Sequence, residues 1–282
     1  MIRTVWVYLM GGVATLFFAG TAVLRSYLWR RNLHRCCDWV TRNWARSLIW
    51  AAGVKVVLEG TENLSTDAPQ IVVSNHQSWF DVFALGAALP VRYRFVAKQE
   101  LGGIPVFGRA WKSCGHVSVD RGNREAAIEA LDQAWREVHE DKLTMILFPE
   151  GTRSPDGRLK AFKKGAFVLA VQGQVPLVPL AVLGSRRIMG KGDRLVRSGE
   201  IRVRIGRPIP TEGTTIRDRN RLMKEAWEAI YALKGETDEA TEGPVLVSLP
   251  PGRAREAEGA AQLDRGSRGS PTGERGPPDP GR

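Results

Sequence analysis

The chain reads as an α/β domain with a largely parallel central sheet flanked by helices, preceded by membrane-associated helices at the N-terminus. Three observations predict this. Short apolar runs of strand type alternate with helical stretches between Val54 and Leu233, the order that builds a sheet from parallel crossover units. Val5 to Leu24 is a run of twenty residues without a charge, long enough to cross a bilayer core. From about Gly235 to Arg282 the chain turns to Gly, Pro, Arg, Glu and Ser, with few side chains able to build a core, and so reads as a disordered tail. The expected organisation is an anchor of interfacial helices over 1–53, a globular domain over 54–234 and a tail over 235–282.

Taken in order, the anchor comes first. Arg3 precedes the apolar run, and Arg25, Arg30, Arg31 and Arg35 follow it. By the positive-inside rule the downstream domain faces the cytoplasm, which predicts a bacterial-type inner (cytoplasmic) membrane as the location. A cleaved signal peptide ranks lower, because the basic region is thin and the apolar stretch is long for that purpose. A helix lying within one leaflet stays open beside a helix that spans. Ser26 to Gly53 mixes arginines with Trp29, Trp39, Trp44 and Trp50, the residue type favoured at the lipid–water boundary. A helix packing those tryptophans against the domain is the alternative, and one helix can do both.

Within the domain, Val54–Leu58 and Ile71–Val73 read as strands and Phe80–Leu89 as a helix. Arg94–Lys98 and His116–Val119 follow as strands, with an irregular, partly helical piece between them. Asn123–Glu140 is the clearest helix: Asn123 suits its N-cap, and Ile128, Leu131, Trp135 and Val138 keep one apolar face. Thr144–Phe148 is a buried-type strand running straight into Pro149-Glu150-Gly151. Lys164–Gln172 predicts a helix, Leu177–Leu183 and Ile201–Ile205 strands, and Ile216–Leu233 a closing helix.

A net charge of +11 and a pI near 10.0 call for an anionic partner: nucleic acid, an acidic membrane surface or phosphorylated small molecules. Zinc-finger spacing, a helix-turn-helix and aromatic RNA-binding motifs are all missing from the sequence, so no nucleic-acid partner is predicted. The three cysteines, Cys36, Cys37 and Cys114, do not make a disulfide framework and fit a reducing compartment. No cluster of His, Cys, Asp and Glu has metal-ligand spacing, so no metal is predicted.

The chemistry centres on Asn75-His76-Gln77-Ser78-Trp79-Phe80-Asp81, at the mouth of a strand-to-helix turn, where α/β sheets carry their sites. His titrates near neutral pH and can take and return a proton. A carboxylate on its other ring nitrogen would fix the tautomer and stabilise the imidazolium. Alone, such a pair is more often a cap or a surface group; its company along the chain changes that. Lys98-Gln99-Glu100-Leu101 leads to Ile104-Pro105, Gly108 and Gly115 to Arg121. Phe148-Pro149-Glu150-Gly151-Thr152-Arg153-Ser154 is followed by Phe162-Lys163-Lys164-Gly165, and then by Val175 to Leu180. In this order and spacing, over roughly Val54 to Pro210, the chain closely resembles the glycerolipid acyltransferase family, which includes the 1-acylglycerol-3-phosphate acyltransferases.

The resemblance implies transfer of a fatty acyl group from a thioester, acyl-CoA or acyl-carrier protein, to the sn-2 hydroxyl of 1-acylglycerol-3-phosphate, giving phosphatidic acid. His76 would be the general base and Asp81 its orienter. Asn75, Glu150, Gly151, Thr152 and Arg153 would bind substrate, with Lys98 and Arg121 as second candidates for the phosphate. Arg153 suits a forked pair with phosphate, while Glu150 would accept from a glycerol hydroxyl or hold Arg153. A thioester is already activated, so no acylated residue and no cofactor is needed. That agrees with the lack of a Gly-x-Ser-x-Gly elbow, and it makes Ser78 a cap rather than a nucleophile. Pro176 and Pro179 are expected to shape an edge of the acyl groove, and His116 to pack. The expected partners are a lysophospholipid, the acyl thioester or its carrier protein, and the lipid bilayer. Another lysolipid acceptor is the runner-up. A catalytically inert lipid-binding protein and a lipid hydrolase are the readings from other classes. The intact His76, Asp81, Glu150 and Arg153 set speaks against the first, and the missing serine elbow and metal site against the second.

Overall fold

The computed structural model describes residues 1–28, 33–120, 136 and 141–235. Seven strands form one sheet: β1 (Val54–Glu59), β2 (Gln70–Ser74), β3 (Tyr93–Lys98), β4 (Val117–Val119), β5 (Thr144–Leu147), β6 (Leu177–Leu183) and β7 (Gly199–Ile205). Their spatial order is β1-β7-β6-β2-β5-β3-β4. All neighbours run parallel except β6 and β7, which pair antiparallel through Leu180 and Ile205. The largely parallel sheet expected from the alternation is therefore present. β2 lies at its centre, and Ile71, Val72 and Val73 are fully buried, as a strand covered on both faces must be.

Side-chain alternation sorts the core into two layers. Val72, Ile146 and Val178 face α2 (Leu33–Ala52) and α3 (Trp79–Ala88), meeting Ala45, Ile49, Phe80 and Leu85. Ile71, Val73, Met145 and Leu177 face α5 (Gly165–Gly173) and α7 (Arg219–Lys234), meeting Phe167, Leu222 and Trp227. Two short α-helices, α4 (Phe107–Ser113) and α6 (Ser185–Ile188), lie in the loops between strands. The helix expected over Asn123–Glu140 lies outside the described residues, save Arg136, which is helical. So does the tail beyond Gly235.

The anchor is a helical pair. α1 (Ile2–Leu28) contains the apolar run, and an 18-residue window of it has a mean hydropathy of 1.8. It packs against α2 and α4, with Ala19 and Ala22 against Val40 and Ala110. Its first turn also touches the domain, where the Arg3 guanidinium donates to the Ala52 carbonyl at 3.1 Å. Cys37 on α2 and Cys114 at the end of α4 form a disulfide, with Cα atoms 5.2 Å apart. This corrects the expectation that the cysteines stay unpaired. The partners are 77 residues apart, and only the packing of α4 on α2 brings them together, so spacing carried no signal.

Candidate active site

The sheet register builds the site. β2 and β5 are parallel neighbours with Val73 opposite Leu147. His76 and Glu150 each lie three residues beyond that pair, so the two loops leave the sheet side by side. The Glu150 carboxylate accepts the His76 backbone N–H at 2.8 Å. The His76 carbonyl accepts from the Ser154 N–H at 2.7 Å, and the imidazole stacks on Phe148 with centroids 4.1 Å apart. The backbone and ring of His76 are thus both held by the strand-β5 loop.

Asp81 holds the ring's nitrogen. Its Oδ2 lies 2.7 Å from His76 Nδ1 and also accepts the N–H groups of Gln77 (2.6 Å) and Ser78 (2.8 Å). The carboxylate is fully buried, whereas the imidazole keeps 15 % exposure. A carboxylate at Nδ1 assigns the proton to that nitrogen and leaves Nε2 with a free lone pair. The same Asp81 caps α3: Ser78 and Asp81 form a reciprocal capping box. Ser78 Oγ accepts the Phe80 N–H and donates to the Met189 carbonyl at 2.6 Å. It is the cap residue expected of it.

His76 opens on a cleft of about 420 Å³ lined largely by Trp44, Val82, Phe83, Phe95, Phe107, Trp111 and Phe148. Lys98, Gly151, Thr152 and Arg153 form its polar side. The Arg153 guanidinium lies over the Trp79 ring, 5.1 Å from its centroid, a cation–π contact that fixes the group while leaving its donors available. Burial and the nearby Asp81 act on it in opposite senses, and burial prevails, lowering its pKa. Lys98 is paired with Glu100 at the solvent edge. Gly151 has φ +72°, and a Cβ there would meet Lys163 Cε at 2.8 Å, so the loop requires glycine at this point.

Asn75 and Glu150, both expected to bind substrate, are bonded to the scaffold. Asn75 is buried, and its amide is spent on one residue: Nδ2 donates to the Val182 carbonyl at 2.9 Å and Oδ1 accepts the Val182 N–H at 2.7 Å. It locks the β2 exit to β6. Glu150 is also buried away from the cleft, and its oxygens accept from the backbone N–H groups of His76 and Lys160. Among the described residues it makes no ion pair with Arg153. Pro176 and Pro179 sit at β6, away from the cleft lining. Arg121 lies outside the described residues. His116 packs as expected: Nδ1 accepts the Phe95 N–H, Nε2 meets Thr41 Oγ1, and burial lowers its pKa to about 3. Among the described residues, no cluster of His, Cys, Asp and Glu could hold a metal.

Burial pushes the Glu150 carboxyl up to about 7, against the opposing pull of the His76 and Lys160 N–H groups. A folded-state value above the unfolded 4.5 means that protonation favours the fold. The contribution is fully present below about pH 4.5 and is lost as pH rises through about 7, a change of about 3 kcal/mol. Glu150→Gln keeps an acceptor for the His76 N–H and should flatten that slope. Unfolding midpoints at pH 5 and pH 8 check this: an equal fall in parent and variant would refute it.

Sequence reasoning missed Phe148 as the stacking partner of His76 and Trp79 as the platform for Arg153. Both stand inside the quoted motifs, where an aromatic beside a His or Arg was the available signal. It also missed Lys234, whose buried ammonium donates to the Gly157 carbonyl at 2.7 Å and braces the Arg153 loop from α7.

Comparison with known proteins adds a family. Residues 55–183 match the model of the family described as Acyltransferase. This segment of the chain is an acyltransferase-family segment. A 1-acyl-sn-glycerol-3-phosphate acyltransferase of Limnanthes alba is 38 % identical over 169 residues, covering 60 % of this chain and 59 % of that protein. The human 1-acyl-sn-glycerol-3-phosphate acyltransferase alpha is 36 % identical over 163 residues, 58 % of each chain. The chain thus spans somewhat under two thirds of the length of these curated relatives. The crystal structure of the 1-acyl-sn-glycerophosphate acyltransferase PlsC from Thermotoga maritima superposes with a TM-score of 0.70 at 29 % identity, over 82 % of this chain and 92 % of that one. The His76–Asp81 and Phe148–Ser154 loops both fall within the matched family segment.

Proposed function

We propose that this chain transfers a fatty acyl group from a thioester, acyl-CoA or acyl-carrier protein, to the sn-2 hydroxyl of 1-acylglycerol-3-phosphate, giving phosphatidic acid for phospholipid synthesis. One observation carries the reading: His76, with Nδ1 on a buried carboxylate, faces an apolar cleft whose rim bears Arg153. The acceptor hydroxyl donates its proton to His76 Nε2 while its oxygen attacks the thioester carbonyl carbon. Collapse of the tetrahedral intermediate breaks the C–S bond, and the imidazolium returns the proton to the departing thiolate. Asp81 stabilises the transient imidazolium. Arg153 binds the acceptor phosphate with forked, charge-assisted bonds, and Lys98 supplies a second positive charge. The acyl chain lies among the cleft's aromatic side chains. No cofactor is required.

Placement at a bilayer follows from α1. It buries Val7, Ala14, Ala19 and Ala22 along the protein and leaves Ile2, Val5, Leu9, Val13 and Leu16 exposed. Its 27 residues are long enough to span, at about 40 Å. A helix with protein contacts from Arg3 to Ala22 suits a position within one leaflet, with its apolar side in the acyl layer. The arginines that follow the run favour a domain on the cytoplasmic side.

The test is transfer of labelled oleate from oleoyl-CoA to a panel of lysolipids in detergent. Labelled phosphatidic acid from lysophosphatidic acid supports the reading, and product only from another lysolipid moves the acceptor. Free oleate without acceptor indicates a hydrolase, and silence across acceptors and carrier-protein donors an inert lipid binder.

Acyl-chain length follows from one wall. Trp44, Val82, Phe95, Phe107 and Trp111 line the cleft and also a second apolar cavity of about 40 Å³ beneath α1 and α2. Trp111→Ala removes part of that wall. The ratio of kcat/KM for longer over shorter acyl-CoA should rise on the order of tenfold; an unchanged ratio would place the chain end elsewhere.

A further inference from the structure

The segment Ser185–Arg197 has no part in the proposed chemistry, yet it carries five basic residues, Arg186, Arg187, Lys191, Arg194 and Arg197, against one acid, Asp193. It is tied to both functional parts of the molecule. At the cleft, Met189 accepts from Ser78 Oγ, and the Lys191 ammonium lies 3.4 Å from Thr152 Oγ1. At the anchor, the Arg194 carbonyl accepts from the Tyr8 hydroxyl at 3.1 Å, and the Val196 N–H donates to Thr4 Oγ1 at 3.1 Å. Thr4 and Tyr8 are one turn apart on α1, on the flank of the exposed apolar face formed by Ile2, Val5, Leu9 and Val13. Asp193 shapes the loop: its carboxylate accepts the Gly190 N–H and pairs with Arg197 at 3.6 Å. Leu195 stands 48 % exposed between the arginines. Arg187 and Arg194 are exposed and have no ion-pair partner among the described residues.

We propose that Gly190–Arg197, together with Arg187, is a docking edge for the phosphate headgroups of anionic bilayer lipids. Leu195 enters the acyl layer beside the apolar face of α1, and Arg187 and Arg194 meet headgroup phosphates. An isolated leucine among unpaired cations continues the α1 surface in composition: apolar below, positive above. Because the same segment touches Thr152, docking sets the cleft mouth at the depth of the headgroups, where a phosphate-bearing acceptor lies. The inference rests on the bilayer placement proposed above, and its test separates the two.

The full chain is sedimented with vesicles of phosphatidylcholine alone and of phosphatidylcholine mixed with phosphatidylglycerol. The parent should bind the mixed vesicles more tightly. Arg187→Gln with Arg194→Gln should lose roughly tenfold or more in affinity for the mixed vesicles and nothing on the neutral ones. Leu195→Ser should weaken binding to both. Acyl transfer in detergent micelles should be unchanged in every variant, which also reports that they fold. Equal binding of parent and double variant to the mixed vesicles would overturn the proposal. So would a double variant whose only defect is a raised KM for acyl-CoA in detergent, which would assign the cations to the donor's phosphates. A parent that binds neither vesicle type would remove the bilayer placement itself, and the docking edge with it.

Discussion

His76→Ala is expected to lower kcat for acyl transfer by at least a hundredfold, within the ~10²–10⁴ range that a positioned general base supplies, with little change in the KM for acceptor. The split follows from the geometry. The groups proposed for binding, Arg153 and the aromatic side chains, line the cleft and are held without His76, while the role proposed for the imidazole is proton transfer through Nε2. The fold should survive, because the backbone at position 76 is held by Glu150 and Ser154 rather than by the ring. Loss of stacking on Phe148 is the main structural cost. Single-turnover transfer from labelled acyl-CoA checks the rate, and activity retained within tenfold of the parent would remove His76 from its role.

Substitution of Asp81 should be as damaging to rate, and the choice of replacement separates two causes. Asp81→Asn removes the charge that stabilises the imidazolium, while its amide oxygen, in the place of Oδ2, can still accept from Nδ1 and from the Gln77 and Ser78 N–H groups. In a related triad geometry the Asp-to-Asn change costs about 10⁴ in kcat. Asp81→Ala adds a structural loss. The Gln77 and Ser78 N–H groups lose their buried acceptor, and α3 loses half of its capping box. At about 1–3 kcal/mol for each unsatisfied buried donor, the alanine variant should lose about 3 kcal/mol or more in stability. Thermal unfolding of both variants beside their transfer rates is the measurement. A stable but inactive Asn variant assigns Asp81 to catalysis through His76, and an active Asn variant would reject that role.

Much of the fold was legible in the chain. The strand at β6, Leu177–Leu183, matches its expected limits, β5 differs from its own by one residue at one end, and β2 by one residue at each end. Strands buried on both faces are written as continuous β-branched and aliphatic runs, and such runs read directly. The pairing of His76 with Asp81 was legible for a local reason. One turn separates them, and the Ser78 cap that starts α3 turns the carboxylate back on the imidazole.

The backbone partners of Glu150 and Asn75 were not legible because they depend on strands distant in sequence. Asn75 bonds to Val182, 107 residues on, and Glu150 to His76, 74 residues back. A polar residue inside a recognisable motif looks the same whether it faces a ligand or a neighbouring backbone, and only the register distinguishes the two. The Cys37–Cys114 bridge escaped notice on the same ground.

The sequence by itself determined the α/β class, the order of elements, the apolar N-terminal helix and the pairing of His76 with Asp81. Those features are carried by local patterns of hydrophobicity, capping and short spacing. Tertiary structure alone decided that Glu150 supports His76, that Arg153 rests on Trp79, that the cleft is walled by aromatic residues from α2, α3, β3 and α4, and that α1 lies along the protein. These depend on which strands are neighbours and which helix faces are left to meet. Contacts between residues far apart in the chain are fixed by packing, and packing has no local signature.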